Sequence, residues 1–225
     1  MFYEPDKNNH GLPFNPFKST VIPRPIGWIT TLDREGNVNL APFSQFNNIG
    51  YDPAYVMFSA GGDVRGHGRK DSSVNAVEGG EFVCNMATWD LREAVNLTSQ
   101  AFEPGVDEAE MAGLEMLPSR LVRPPRVALS PVHLECVFHS CITLPGNTIR
   151  NVMNMVIGRV IGVHIKDEVL TPEGRIDVKK IRPICRLGYM DYAVIDETFE
   201  MKIAGPHSDA NNEGLLGAGS GLIAG

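Results

Sequence analysis

The stretch from Pro23 to Phe46, PRPIGWITTLDREGNVNLAPFSQF, constrains this chain more than any other. Pro25 to Leu32 is rich in aromatic, apolar and β-branched residues, as a strand requires. Asp33-Arg34-Glu35-Gly36 supplies a turn, with Gly36 free to take a positive φ. The return arm, Asn37 to Leu40, alternates polar and apolar residues. At Ala41-Pro42 the ladder is expected to stop, because proline has no N–H to donate. Ser44, Phe46 and Asn47 follow with a hydroxyl, a ring and an amide. The plain reading is a hairpin at a domain edge. The sharper one is a strand end that rims a planar polar heterocycle.

A chain of 225 residues with 43% apolar and 21% charged residues can bury the core of one domain. Its formal net charge of −7 argues against nucleic acid or an anionic membrane as partner, since both call for a basic face. No apolar run reaches the roughly 20 residues of a membrane span. The first residues, MFYEPDKNNHG, lack the apolar core of a signal peptide. A cytoplasmic location is therefore expected. Cys84, Cys136, Cys141 and Cys185 form no CxxC pair and are read as reduced and packed. Cys136 and Cys141, five apart in one strand, should face opposite sides. The six histidines show no zinc spacing.

Residues 1–20 read as an extended arm and 21–203 as the domain. Residues 204–225, glycine-rich and without large aromatics, read as a loose tail. After a turn at Gly50 to Pro53, Ala54 to Ala60 is an apolar strand expected to be buried on both faces. The loop Gly61 to Ser73 is rich in glycine and basic residues and opens onto a short helix, Ser72 to Glu78, closed by Gly79-Gly80. Asp71 or Ser72 is the expected N-cap. Such a loop can cradle a phosphate, because free N–H groups and the helix dipole both favour an anion. Lys70 between Arg69 and Asp71 fits no Walker A loop, and Asp71 stands where a Rossmann fingerprint needs glycine. Taken alone, the loop reads as a solvated turn.

Glu81 to Met86 is another strand, after which Thr88 caps a helix burying Leu91, Ala94, Val95, Thr98 and Phe102. The acidic residues between Glu103 and Glu115 read as a solvated surface. Val132 to Thr143 alternates by two. Asn151 to Ile165 is a β-branched run interrupted by Gly158 and Gly162, which mark bulges at barrel corners. Arg159 and His164 should face opposite sides, His164 as a rim or surface histidine. Arg186 to Tyr192 gives a late strand or turn, and Phe199 to Ile203 a closing one. Strands with short inserted helices and no βαβ repetition predict a mainly β fold, an antiparallel barrel.

In these segments the chain resembles the flavin reductase-like proteins of the FMN-binding split-barrel superfamily, over roughly residues 12 to 203. The likeness is carried by Arg24-Pro25-Ile26-Gly27-Trp28-Ile29-Thr30-Thr31, Asn39-Leu40-Ala41-Pro42-Phe43-Ser44 and Asp52 to Ser59. Lys70-Asp71-Ser72, Gly80 to Asn85 and Arg186-Leu187-Gly188 complete it. The resemblance implies an antiparallel, Greek-key-type split barrel, a homodimer, and FMN near the subunit interface. It implies flavin contacts from Ala41, Pro42, Ser44 and Phe46, with Thr30, Thr31 and Ser59 on neighbouring strands. Lys70, Asp71 and Ser72 stand where the family has Lys-Asp-Thr, which keeps a hydroxyl for the phosphate. Met153 and Asn154 occupy the region where short-chain flavin reductases carry a histidine, so flavin binding is implied more directly than nicotinamide use. Electron transfer from NAD(P)H to flavin, or to a redox partner protein, is the expected activity. A flavoredoxin-like electron carrier is the alternative. No catalytic side chain is expected, because a flavin carries the redox chemistry itself.

Overall fold

The computed structural model describes residues 1–62, 69–103 and 105–201. Most of the glycine-rich loop and the C-terminal tail therefore lie outside the described residues. In chain order come β1 (Arg24–Pro25), β2 (Gly27–Leu32), β3 (Val38–Phe43), β4 (Phe46–Tyr51), β5 (Ala54–Gly61), α1 (Asp71–Gly79) and β6 (Glu81–Met86). Then follow α2 (Arg92–Leu97), α3 (Glu108–Met111), β7 (Met116–Leu117), β8 (Arg126–Val127) and β9 (Val132–Leu144). The chain continues through β10 (Met153–Ile165), α4 (Val178–Ile181), β11 (Ile184–Gly188) and β12 (Asp191–Val194).

Seven strands form one antiparallel sheet in the order β3-β2-β6-β9-β10-β5-β4. The sheet curls on itself. Phe43 of β3 and Phe58 of β5, far apart in that order, meet with ring centroids 5.1 Å apart. Ile29, Val56, Phe82 and Val156 fill the interior around them. This is the split barrel that the sequence predicts. A second apolar layer, including Trp28, Leu40, Leu91, Val95, Val127 and Ile184, covers the outer side under α2, α3 and β8. The N-terminal arm reaches β11, where the Ser19 hydroxyl donates to the Leu187 carbonyl at 2.6 Å.

Several local expectations change. The ladder does not stop at Ala41: Pro42 pairs with Trp28 and Phe43 with Gly27. β3 ends the sheet order, and at a sheet edge a missing N–H can face outward without loss. Toward the barrel Val56, Phe58 and Ala60 of β5 are buried; on its other side Ser59 is buried but Tyr55 and Met57 stay half-buried. The N-cap of α1 is Lys70, with no side-chain cap bond, and Gly80 closes the helix at φ 74°. Thr88 caps no helix; it forms a lone bridge with Pro183, and α2 begins later with Leu91 as its N-cap. Phe199 to Met201 lie outside any strand, and β12 is the last described one.

β9 and β10 slip register twice, between Ile157 and Gly158 and between Val160 and Gly162. Each slip reverses the inside–outside phase. Arg159 pairs with Val137 and His164 with His133, alternate positions on β9, so both lie on the same side. In the same way Cys136 and Cys141 pair with Val160 and Val156, and both pack on the barrel core. All four cysteines are free, and three of them are buried.

Candidate functional site

A small cavity of about 80 Å³ opens where α1 begins, against the end of β3. Its walls bring together five of the predicted residues, Ala41, Pro42, Lys70, Asp71 and Ser72. The hairpin delivers the first two from an edge strand, and the helix start delivers the other three. Residues 98–102, following α2, form the opposite wall with Glu108. The Lys70 ammonium lies 5.8 Å from the centroid of the Phe43 ring. An opening of this size has room for a phosphate-sized group.

Asn39 organises the floor. Its Oδ1 accepts from the Ser72 hydroxyl at 2.7 Å and from Thr31 Oγ1 at 3.3 Å. Its Nδ2 donates to Glu108 Oε1 at 2.7 Å, while Glu108 Oε2 accepts the backbone N–H of Leu40 at 2.9 Å. Burial pushes the Glu108 carboxyl above its ordinary pKa, against the pull of the Leu40 N–H and the Asn39 amide. Glu108 is buried, so the acidic segment is not uniformly a solvated surface. Asp107 caps α3 through its side chain, which turns Glu108 inward. Neither Asn39 nor Glu108 was singled out from the sequence. The polar alternation of the return arm pointed to Asn39 alone, and nothing local distinguishes Glu108 from its acidic neighbours.

The other predicted residues lie elsewhere. Thr30 and Thr31 have no exposed surface. Thr30 accepts from Asn85 Nδ2 at 2.8 Å and Thr31 from Asn75 Nδ2 at 3.3 Å, so the first hydroxyl ties β2 to β6 and the second ties β2 to α1. Ser59 is buried and its backbone N–H donates to the Gln45 carbonyl at 2.7 Å. Ser44 sits half-buried between β3 and β4. Phe46 lies over Gly27, where a Cβ would come 2.4 Å from the ring, and borders a separate apolar cavity of about 210 Å³. Asn154 is buried in β10 and accepts from the Thr143 hydroxyl at 3.1 Å.

The donors here suit a phosphate group: the Lys70 ammonium and the first N–H groups of a nine-residue helix, beside the small residues Ala41 and Pro42. This chain belongs to the flavin reductase like domain family, whose model matches residues 19–190. An uncharacterized protein from Halalkalibacterium halodurans is 36% identical over 181 residues, 80% of this chain and 86% of that protein. Nitrilotriacetate monooxygenase component B from Bacillus cereus superposes with a TM-score of 0.81 at 31% identity, covering 89% of this chain and 98% of that one. A Shewanella frigidimarina protein with a split barrel domain gives 0.76 at 21% identity, covering 91% and 100%. Among the described residues, no helix is long and apolar enough to cross a membrane.

Proposed function

We propose that this protein is an FMN-dependent oxidoreductase of the flavin reductase type, passing electrons from NAD(P)H to flavin or to a downstream acceptor. The observation that carries this reading is the meeting of Ala41, Pro42, Lys70, Asp71 and Ser72 in one cavity at the start of α1. Bound FMN would supply hydride and electron chemistry, and the chain would bind and orient it. Lys70 and the first N–H groups of α1 hold the phosphate, the ammonium offsetting a formal chain charge of −7. Ser72 donates its hydroxyl hydrogen to Asn39, which fixes the helix start and leaves the phosphate to Lys70 and the backbone N–H groups. Ala41 and Pro42 give the ring a flat, small-residue edge. By the chain's likeness to its family, the ring lies near an interface with a second copy of the chain, and the working unit is a homodimer.

A fluorescence-quenching titration of FMN and riboflavin against wild type and Lys70→Ala tests the anchor. One charge-assisted bond is worth about 1.5–3 kcal/mol, so the variant should bind FMN roughly ten- to a hundredfold more weakly. Riboflavin should bind both proteins alike. Equal FMN affinity would move the anchor to Arg69 or the preceding loop. Anaerobic mixing of the FMN-loaded protein with NADH and NADPH should bleach the flavin absorbance. Bleaching by a reduced protein partner alone would instead make this chain an electron carrier.

A further inference from the structure

The cavity at the start of α1 carries an electrostatic imbalance. Among the described residues of its wall, Lys70 is the only cation, and it shares the wall with two acidic side chains, Asp71 and Glu108. Asn39, Ala41, Pro42, Ser72 and residues 98–102 complete the lining and carry no ionisable side chain. A phosphate monoester entering here adds a charge of about −1.5 to −2. In a chain of formal net charge −7, Lys70 and the first N–H groups of α1 would hold that anion beside a carboxylate in the same small opening. Like charges at close range disfavour each other's ionised forms.

Glu108 is the group able to give way. It keeps 8% exposure and lines the cavity from the start of α3. The facing strand, β3, has no charged side chain between Val38 and Phe43. The charged groups around Glu108 are therefore Lys70 and Asp71 on α1, with Asp107 and Glu110 on its own segment. Burial, with Asp107 adding to it, raises its pKa, while the Leu40 N–H and the Asn39 amide pull it down. The bonds to Oε1 from Asn39 Nδ2 and to Oε2 from the Leu40 N–H occupy one acceptor site on each oxygen. A carboxylate has about four such sites, so a proton can be taken on a remaining one with both bonds kept. The floor of Asn39, Ser72 and Thr31 then stays in place while the charge is removed.

We propose that Glu108 couples phosphate binding in this cavity to proton uptake, ionised when the site is empty and neutral when FMN is bound. The proton comes from solvent and returns there when FMN leaves. The proposal rests on the flavin reading and adds a proton-linked control to the same site. Calorimetric titration of FMN in buffers of different ionisation enthalpy counts the protons. At pH 7 the wild-type chain should take up more protons than Glu108→Gln, by up to one per FMN, and riboflavin should move none in either. The second ionisation of the phosphate, near about pH 6, affects both proteins alike and cancels in that difference. Glu108→Gln keeps the size of the side chain and drops its charge. At pH 8 it should bind FMN severalfold more tightly than wild type, and the gap should close as pH falls, by at most about tenfold per pH unit. A merely structural carboxylate would instead give weaker binding of FMN and riboflavin alike. Should the variant not fold, carbon NMR of the wild-type glutamate carboxyls decides: FMN should move the Glu108 titration upward and riboflavin should leave it in place. Equal proton counts, an unmoved Glu108 titration, or uptake lost in Asp71→Asn instead would overturn the proposal and leave the flavin reading standing. No FMN binding by the wild-type chain would overturn both.

Discussion

At the scale of single residues, His133 offers the clearest test of the electrostatics. Burial, with Arg126, His164 and Lys166 nearby, lowers its pKa from 6.5 to about 4, although its bond to the Val127 carbonyl pulls upward. Between those values the unfolded chain binds a proton that the folded chain refuses. Stability is then full above pH 6.5 and is lost as pH falls toward 4. The loss from this group is roughly 3 kcal/mol at pH 4, since each tenfold difference in proton affinity is worth about 1.4 kcal/mol. Glu108, whose pKa is raised by burial, runs the other way: its contribution is fullest at low pH and is lost as pH rises. Urea unfolding of wild type and His133→Gln at pH 7 and pH 5 separates the two. The variant should start less stable and lose less on acidification. Parallel losses in both proteins would show that His133 is not the titrating group.

At the scale of elements, the two register slips between β9 and β10 decide which residues can meet. Gly158 sits where a Cβ would fall 2.2 Å from the Phe82 ring and 3.3 Å from Cys136 Cβ. Phe82 is completely buried in the barrel core and packs edge-on against Phe58 with ring centroids 5.4 Å apart, so it has little room to yield. Gly158→Ala should therefore destabilise the chain by about 1–3 kcal/mol through overpacking. A lowered urea midpoint with an unchanged slope is the expected signature. An unchanged midpoint would mean that the Phe82 ring moves aside freely. The interior glycines of this strand could be read from the sequence as bulge markers. What they do to the phase could not, since each slip depends on where β9 supplies the opposing residue. For that reason the alternation of Arg159 with His164, and of Cys136 with Cys141, came out reversed.

At the scale of the whole molecule, β9 and β10 present an apolar side away from the barrel. Ile142 pairs with Met155 and Leu144 with Met153, opposite in phase to the core residues Cys141 and Val156. Ile142 is 45% exposed and Leu144 48%, beside one another on a sheet face. This is the surface expected to meet a second copy. Sedimentation should give a dimer for wild type and a monomer for Ile142→Glu combined with Leu144→Glu. FMN affinity should fall with the dimer, because the proposed ring site borders the second copy. A double variant that stays dimeric would put the interface elsewhere, whereas a monomer that keeps full FMN affinity would make the site complete within one chain.

The sequence alone determined the strand-rich barrel, the presence of α1 and the family, because these rest on short-range patterns: alternation, turn chemistry, and contiguous motifs such as Asn39 to Ser44 and Lys70 to Ser72. It also brought Ala41, Pro42 and Lys70 to one site, through motifs that the family keeps in order. Only the tertiary structure decided that Thr30 and Thr31 are sealed from solvent, bonded to Asn85 of β6 and Asn75 of α1. It alone carried Glu108 across 68 residues to the Leu40 N–H, and enclosed Glu135 behind His164, which lines a basic cleft. Those outcomes depend on which distant strand or loop covers a side chain. Burial and hydrogen-bond partnership are long-range properties, and no local pattern in the chain encodes them.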